Sequence, residues 1–456
     1  MIGTKKKQAL LLTAIATGTM LNPLNSSMIS LALHSIQKDY DLSFATVSWL
    51  VSGFYLASAV AQPVTGKIGD LIGRKKMFLI GLLVVAASAF GAPLAQTFFV
   101  LLLMRLLQSV GSSAIYPSGI AIIRDDVAHE KQASALAVLS IFASVMTAFG
   151  PTVGGFLIVW GGWPTIFTVN FPFILISFVI GWFVFPKDMK KGTAPFKQVV
   201  RRLDIPGICL FACGLVFLLW FLLSFDTSVH YLSGVIGILM IGFFIWYELR
   251  VKTPFINIRL LVANRALSFV YIQFILLNVF NYCLFFGLPS YFQSGMHLSI
   301  QASGAMMLFM SVASIIVSLL TGRWVDRSGT RRPIAAGALL TFISAVMMLV
   351  VSDFSPLAFI AVMMILFGAG YGIGNVALQA AMLEASPKNS VGTTSGLFQT
   401  CRYLGSILSS VVLGLVFGRA ITPHHLFVLS AVLVVVGVCC LLMSWGYSKV
   451  ARQTAR

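Results

Sequence analysis

The chain contains repeated apolar segments of about 20 residues, the length that a helix needs to cross a bilayer core of about 30 Å. Fourteen such segments can be counted, and no connection between them exceeds about 20 residues. They lie approximately at residues 8–33, 44–66, 77–96, 98–122, 134–159, 165–185, 205–225, 231–249, 266–291, 301–321, 333–351, 356–382, 393–418 and 425–447. We therefore predict an all-α membrane protein with 14 transmembrane helices and no soluble domain.

Charge is scarce in the sequence and unevenly placed. Only 10% of the residues are charged, against about 25% in soluble domains, which excludes a water-soluble globule. If the N-terminus is cytoplasmic, 27 of the 31 Lys and Arg residues fall on the cytoplasmic side; Lys38 and Arg419 fall outside, and Arg105 and Arg402 fall within spans. This asymmetry follows the positive-inside rule and accounts for the net charge of +18 without a nucleic-acid partner. We predict a cell-membrane protein with both termini cytoplasmic.

The N-terminus resembles a signal peptide, and the six cysteines could form disulfides or a metal site, but we expect none of these. The first apolar run follows three lysines, as in a signal peptide, but it continues past Pro23 to Ala32, so we expect a retained first helix. The six cysteines all fall inside apolar runs, where a thiol is usually a small packing residue. We therefore predict no disulfide framework, no metal site and no cofactor.

One short pattern occurs twice and indicates an internal repeat. The segment 66–76, Gly-Lys-Ile-Gly-Asp-Leu-Ile-Gly-Arg-Lys-Lys, returns 256 positions later as the segment 322–332, Gly-Arg-Trp-Val-Asp-Arg-Ser-Gly-Thr-Arg-Arg. Six spans occupy less sequence than this offset, and the surplus equals the length of spans 7 and 8. We predict two six-helix pseudo-repeat bundles at residues 1–204 and 265–456, with a two-helix insertion at residues 205–264.

Five motifs in order along the chain resemble those of the major facilitator superfamily. The first is the loop at 66–76, and the others are Arg105–Gly111, Gly150–Gly155, Trp163–Pro172 and Ser395–Gly405. With the fourteen predicted spans, these motifs are similar to the drug:proton antiporter branch of that family. The resemblance implies a transporter rather than an enzyme, with two halves that rock about a central site. It also implies an antiporter motif formed by Gly150, Pro151, Gly154 and Gly155.

The repeated loop is predicted to act as a conformational latch. Asp70 can face the positive N-terminus of a neighbouring helix, and Arg74 can pair with Asp125 or Asp126 at the end of helix 4. Such contacts, each worth on the order of 1 kcal/mol, would favour the outward-facing state and break when the halves part. The alternative is that the basic residues only set the topology.

The second copy of the loop is predicted to make equivalent contacts. Arg331 or Arg332 could pair with Glu384, which would leave Asp326 for the N-terminus of helix 5. The complete set of predicted latch residues is Gly66, Asp70, Gly73, Arg74, Asp125, Asp126, Asp326, Arg331, Arg332 and Glu384.

Polar residues within the apolar runs are candidates for a substrate cavity. A charge inside a span is costly and indicates function by default, and away from the helix ends only Arg105 and Arg402 qualify. An alternative is that each guanidinium ties backbone carbonyls of neighbouring helices together. Neutral residues spaced three or four apart complete the candidate cavity, although hydrogen bonding between helices could account for any one of them. The candidates are Asn22, Asn25, Arg105, Gln108, Gln273, Asn278, Asn281, Tyr282, Tyr371, Asn375, Gln379, Gln399 and Arg402.

All 13 acids fall in loops or at the ends of the predicted helices, so no carboxylate lies in the interior of a span. The antiporter branch commonly carries an Asp in helix 1, and here Asn25 stands in its place. A buried carboxylate is the obvious group to exchange a proton for a cationic drug. Any proton carrier is therefore expected near an end of the pathway, at His34, Asp226 or Glu248, or on the substrate itself.

We predict a secondary active exporter of amphipathic small molecules, namely multidrug efflux coupled to proton antiport, as in antibiotic resistance. The alternative is the same fold with an anionic metabolite, lipid or signalling molecule as cargo, because two arginines and no acid lie in the interior of the spans. The expected partners are the small-molecule substrate, a coupling ion that is a proton or sodium, and membrane lipid. A monomer is expected. A membrane enzyme would need a cluster of His, Cys and carboxylates, and the sequence shows none.

Overall fold

The structure of the chain is a computed structural model. It describes all residues except 1–3, 43, 48, 189–203, 224–229, 252–253, 299, 353–354, 388–389, 418–421 and 454–456. Within the described residues the secondary structure is helical, and no strand occurs there. The expected all-α class is therefore confirmed.

The helices are numbered in chain order. Those of the first part of the chain are α1 Thr4–Thr19, α2 Leu21–Asp39, α3 Phe44–Val47, α4 Trp49–Ile72, α5 Arg74–Gly91, α6 Phe98–Asp126, α7 His129–Gly161, α8 Thr165–Thr168 and α9 Asn170–Val184. The remaining helices are α10 Ile205–Leu223, α11 Tyr231–Glu248, α12 Ile258–Ala263, α13 Arg265–Ser294, α14 Ile300–Ser328, α15 Arg331–Met348, α16 Leu357–Ala385, α17 Val391–Phe417 and α18 Pro423–Gln453.

Ten segments of the described chain are long and apolar enough to cross a membrane. They are Arg74–Leu94, Phe98–Asp126, Thr165–Val184, Tyr231–Glu248, Arg265–Pro289, Ala302–Ser328, Arg331–Met348, Leu357–Ala385, Val391–Phe417 and Pro423–Lys449. Each of the other four predicted spans also coincides with helix, in α1–α2, α4, α7 and α10. The number of 14 transmembrane helices is therefore not confirmed, although each predicted apolar run coincides with helix over most of its described residues.

Several helix ends are fixed by local sequence. Thr97 caps the N-terminus of α6, and its side chain accepts a hydrogen bond from the amide of Val100 at 3.4 Å. Asn257 and Asn264 cap α12 and α13 in the same way, because a short polar side chain satisfies an amide that has no partner inside the helix. Gly162 ends α7 at a φ of 76°, a backbone conformation that favours glycine.

The chain divides into two compact units. The first unit contains residues 1–205 and 386–400, and the second contains residues 206–385 and 401–456. Helix α17 contributes its first turns, through Thr400, to the first unit and the rest to the second. The division into three domains that the repeat predicts stays a prediction.

In the first unit, α2 packs closely against α7. A Cβ atom on Gly150 would lie 1.7 Å from Oγ of Ser27, and one on Gly154 would lie 3.1 Å from Cβ of Met28. Met28 is completely buried in an apolar core with Leu24 and residues of α4, α6 and α8. Two glycines of the expected antiporter motif therefore allow a close approach of two helices.

In the second unit, α16 is the central helix, and glycines line its contacts. A Cβ on Gly368 would lie 2.1 Å from the carbonyl oxygen of Met310 in α14, and one on Gly370 would lie 2.9 Å from the amide of Thr341 in α15. The ring of Phe367 stacks on that of Phe280 at 4.9 Å inside a core rich in methionine. The repeated glycines of α16 thus serve close helix packing.

Candidate functional site

A cluster of buried polar side chains lies in the first unit, and we call it the N-terminal polar cluster. It consists of Asn25 in α2, Arg105 and Gln108 in α6, and Asn170 at the start of α9. All four side chains are almost completely buried. The structure thus brings together three predicted cavity residues with one that the prediction did not include.

Arg105 is bound entirely by neutral groups. Its Nη2 donates to the carbonyl oxygen of Asn25 at 3.0 Å, its Nη1 to Oε1 of Gln108 at 2.5 Å, and its Nε to the carbonyl oxygen of Leu50 at 3.3 Å. The guanidinium also lies over the ring of Phe54, with Cζ 4.1 Å from the centroid. A buried charge needs such compensation because the interior solvates it poorly. Arg105 therefore joins α2, α4 and α6.

The amide of Asn25 is oriented by its neighbours. Its Nδ2 donates to the carbonyl oxygen of Leu21 at 2.7 Å, while its Oδ1 accepts from Nε2 of Gln108 at 3.2 Å and from Nδ2 of Asn170 at 2.9 Å. A neutral side chain that both donates and accepts fits this position. Asn170 appears in the sequence motif at 163–172, so that motif was the signal that could have identified it.

Asn22 lies one turn before Asn25 and makes a separate contact. Its Nδ2 donates to Oγ of Ser112 in α6 at 3.2 Å. Asn22 is only half-buried, unlike the members of the N-terminal polar cluster.

A second polar cluster lies in the second unit, and we call it the C-terminal polar cluster. It consists of Asn278 in α13, Tyr371 and Asn375 in α16, and Arg402 in α17. Nη2 of Arg402 donates to Oδ1 of Asn375 at 3.2 Å, and the hydroxyl of Tyr371 donates to Oδ1 of Asn278 at 3.5 Å. The guanidinium carbon of Arg402 lies 5.6 Å from the ring centroid of Phe274. Four predicted cavity residues of three helices are therefore adjacent.

The other predicted cavity residues are not joined to either cluster by the contacts described above. Gln273 is buried, and its Oε1 has no hydrogen-bond partner among the described residues. Gln379 is also buried, and Asn281 is half-buried. Tyr282 stacks on Phe286 at 5.7 Å. Gln399 is buried in the part of α17 that belongs to the first unit.

The first loop meets the N-terminus of α17 within the first unit. Asp70 accepts hydrogen bonds from the amides of Gly392 at 3.1 Å and Thr393 at 3.0 Å, and from Oγ1 of Thr393 at 3.0 Å. These amides have no partner inside the helix, and the helix dipole favours an anion there. A Cβ on Gly66 would lie 2.2 Å from the carbonyl oxygen of Gly392, so only glycine allows this approach. Asp70 faces a helix N-terminus, as predicted.

Arg74 holds the loop to the end of α6. Its Nη2 lies 3.8 Å from Oδ1 of Asp70, and its Nη1 forms an ion pair with Asp125 and donates to the carbonyl oxygen of Ala121 at 2.9 Å. Asp125, one of the two acids predicted as partners, is therefore in contact with Arg74. Burial raises the pKa of the Asp70 carboxyl; the hydrogen bonds from Thr393 and Gly392 and the charge of Arg74 oppose this only in part.

The second loop includes a contact that its sequence does not predict. Oγ1 of Thr330 donates to Oε2 of Glu384 at 3.2 Å and also contacts the hydroxyl of Tyr447 at 2.9 Å. Both Thr330 and Tyr447 are buried. The pairing of Glu384 with Arg331 or Arg332, and the role of Asp326, stay predictions.

The three candidate proton carriers are unequally described. Asp226 and the side chain of His34 lie outside the described residues. Glu248, at the end of α11, is completely buried, and its Oε1 accepts a hydrogen bond from the amide of Phe255 at 3.2 Å. Glu248 is thus a candidate whose carboxyl group is enclosed by protein.

Comparison with known proteins agrees with the helical fold. The family model of the Major Facilitator Superfamily matches residues 15–410. The chain therefore belongs to the major facilitator superfamily, and it is a multi-pass membrane transporter, not an enzyme.

Its relatives span nearly the whole chain. It is 64% identical over 452 residues to an uncharacterized MFS-type transporter, YwoD, of Bacillus subtilis (strain 168), which covers 99% of this chain and 100% of that protein. It is 28% identical to the multidrug resistance protein Stp of Mycobacterium tuberculosis (strain CDC 1551 / Oshkosh) over 91% of this chain and 78% of that protein. The crystal structure of the human organic anion transporter MFSD10 has the same fold, with a TM-score of 0.69 at 17% identity, covering 96% of this chain and 99% of that one.

Proposed function

We propose that this transporter is a secondary active exporter of amphipathic small molecules, and that it carries out multidrug efflux coupled to proton antiport. The observation that carries this proposal is the C-terminal polar cluster beside an apolar core. The ring of Tyr371 lies 6.2 Å from that of Phe367, which stacks in turn on Phe280. Buried methionines surround these rings, among them Met310 and Met363. Polarizable, flexible side chains next to a few polar groups suit ligands of varied shape.

The relatives support efflux as the direction of transport. They include the multidrug resistance protein Stp and, at 26% identity over 90% of this chain and 76% of that protein, a tetracenomycin C resistance and export protein of Streptomyces glaucescens. In this proposal the chain crosses the cell membrane 14 times with both termini cytoplasmic. Two six-helix bundles alternate in access, and helices α10 and α11 form an insertion between them in the sequence.

The proposed substrate-binding residues are the members of the two polar clusters with the other polar residues of the candidate cavity. The contact of Asp70 with the N-terminus of α17 is the proposed latch. Its three hydrogen bonds can form only while the loop and the start of α17 are adjacent, so it favours one conformation over another. The proposed coupling ion is a proton, with sodium as the second candidate.

An anionic cargo is the second candidate, and the placement of charge favours it. Arg105 has neutral partners, Arg402 contacts Asn375 and Phe274, and the acids fall in loops or at helix ends, Glu248 at the end of α11 among them. Positive charge in the interior of the spans, away from these acids, attracts anions and repels cations. A carboxylate-bearing metabolite, lipid or signalling molecule fits this arrangement.

Transport by the purified protein in proteoliposomes separates these proposals. Tetraphenylphosphonium serves as the cationic probe and fluorescein as the anionic probe, each under an imposed pH or sodium gradient. Movement of the cation against its gradient, driven by protons, supports multidrug antiport. Movement of fluorescein alone supports the anionic cargo. If neither probe moves under either gradient while the folded protein is present, the proposed export of amphipathic molecules is contradicted.

A further inference from the structure

The first turn of α5 is capped by a residue far away in the sequence. The helix begins at Arg74, and the preceding residue, Gly73, has no side chain that could cap it. Asp188, which follows the end of α9, takes this role: its Oδ1 accepts from the amide of Lys75 at 3.0 Å, and its Oδ2 accepts from the amide of Lys76 at 3.1 Å. A carboxylate at this place is favourable, because the first amides of a helix lack partners and the dipole is positive there.

The side chain of Lys75 makes the reciprocal contact with α9. Its Nζ donates to the carbonyl oxygens of Trp182 at 2.5 Å and Phe185 at 3.0 Å, at the C-terminal end of that helix. The buried ring of Phe78 packs edge-on against Phe185 at 5.0 Å. A cation is favoured at a helix C-terminus for the same reason that an anion is favoured at the N-terminus. Asp188 and Lys75 together therefore tie the start of α5 to the end of α9.

Gly73 makes room for this arrangement. Its φ is 110°, a conformation that L side chains rarely adopt, and a Cβ atom would lie 2.3 Å from Cγ of Asp188. Glycine is thus required at position 73 for two reasons: the positive φ, and the carboxylate of Asp188, which leaves no room for a Cβ atom. This links Asp188 directly to the segment that contains Asp70 and Arg74.

We propose that Asp188 is a positioning residue of the latch, holding the first turn of α5 so that Arg74 stays between Asp70 and Asp125. Arg74 immediately precedes Lys75, whose amide Asp188 binds, so a change at Asp188 moves the base of the Arg74 side chain. Arg74 in turn contacts Asp70, which holds the N-terminus of α17. The inference rests on the latch described under the proposed function.

The test measures protection of the start of α17, which needs no knowledge of the substrate. Val391 is completely buried two residues before Thr393. In a variant that lacks the six native cysteines, Val391→Cys is labelled with N-ethylmaleimide in nanodiscs, and the labelling rate is measured. Asp70→Asn is the positive control, and Lys187→Gln, a change of the exposed neighbour of Asp188, is the matched control.

We expect Asp188→Asn to raise the labelling rate on the order of tenfold, as the loss of a charge-assisted hydrogen bond would. Asp188→Glu, which keeps the charge, should raise it by less. Lys187→Gln should leave the rate unchanged. If Asp188→Asn fails to fold, Lys75→Met removes the reciprocal bonds to α9 and should also raise the rate.

The outcomes distinguish the inference from the latch itself. If Asp70→Asn raises the labelling rate and Asp188→Asn does not, the role of Asp188 is refuted while the latch stands. If neither changes the rate, the latch is refuted. If Asp188→Asn lowers only the melting temperature, Asp188 is a structural residue and the proposal is wrong.

Discussion

Arg105 shows how a single buried charge can be stabilised without a carboxylate. Its donors reach two backbone carbonyls and one side-chain amide in three different helices. Guanidinium suits this task because its donors have a fixed planar geometry, and lysine offers only a point charge. The same group is the most direct candidate for recognition of an anion, so the two roles must be separated by substitution.

We expect Arg105→Lys to fail almost as completely as Arg105→Ala. Either change leaves at least one buried acceptor without a partner, at a cost of about 1–3 kcal/mol each. Arg402→Lys should retain part of the transport activity if the cargo is anionic, because a point charge still attracts it. Melting temperature in detergent and transport in proteoliposomes check both variants. A stable Arg105→Lys variant with normal transport would contradict the structural role of Arg105.

Asn25 occupies the position where related antiporters carry an acid. We expect Asn25→Asp to introduce pH-dependent transport of cations. A carboxylate keeps the bonds from Gln108 and Asn170 but loses the donation to the Leu21 carbonyl unless it is protonated. Cation efflux measured against external pH tests this. An unchanged profile in a folded variant would show that position 25 does not take part in coupling.

At the scale of helices, the contacts of helix ends and glycines decide how the elements pack. The N-terminus of α17 receives Asp70, and the N-terminus of α5 receives Asp188. The interior of α16 is lined by glycines that touch the backbones of α14 and α15. Both kinds of contact require two helices or a helix and a side chain to lie very close together. A single substitution at such a contact should therefore have a measurable effect.

The contact of Asp70 with α17 should respond to pH. Burial raises the pKa of Asp70 when the contact is formed, so forming the contact takes up protons. Acidification should therefore favour the closed contact, and this preference should be lost as the pH rises through the raised pKa. Maleimide reacts with the thiolate, so labelling of any cysteine slows at acidic pH. We therefore expect the labelling rate of Val391→Cys to fall more steeply with acidification in the parent protein than in the variant Asp70→Asn; an equally steep fall in both would contradict a role of Asp70.

Close packing in α16 predicts a pair of contrasting substitutions. Gly368→Ala should lower the stability by about 1–3 kcal/mol, because its Cβ would collide with the backbone carbonyl of Met310. Gly414→Ala in α17 is the matched control, since no described atom lies within 4 Å of the added Cβ. Thermal unfolding in detergent checks both. Equal melting temperatures would contradict the tight contact of α14 with α16.

At the scale of the whole molecule, the proposed orientation in the membrane rests on the distribution of charge. Single cysteines at Ser228 or Pro423 should react with an impermeant maleimide in intact cells. Cysteines at Gly192 or Asn389 should react only after permeabilisation. Both positions lie in segments between spans that are rich in Lys and Arg or next to them, and such segments stay on the cytoplasmic side. The reverse pattern would overturn the proposed orientation and, with it, the direction of export.

The apolar runs, the repeated loop and the family resemblance could all be read from the sequence. Each is a local property, because hydropathy, the spacing of glycines and the order of motifs do not depend on distant residues. The predicted helices, the transporter class and the meeting of Asp70 with a helix N-terminus follow from such properties. The number of spans is not confirmed: ten segments of the described residues are long and apolar enough to cross a membrane, against fourteen predicted.

Only the tertiary structure decided which polar groups meet. Asn170 joins Asn25 from 145 positions away, Asp188 binds the amide of Lys75 from 113 positions away, and Thr330 contacts Glu384. Such partners depend on the rotation of each helix about its axis and on its depth beside its neighbours. Those two quantities are set by the packing of many side chains at once, and a polar residue in a linear sequence does not specify them.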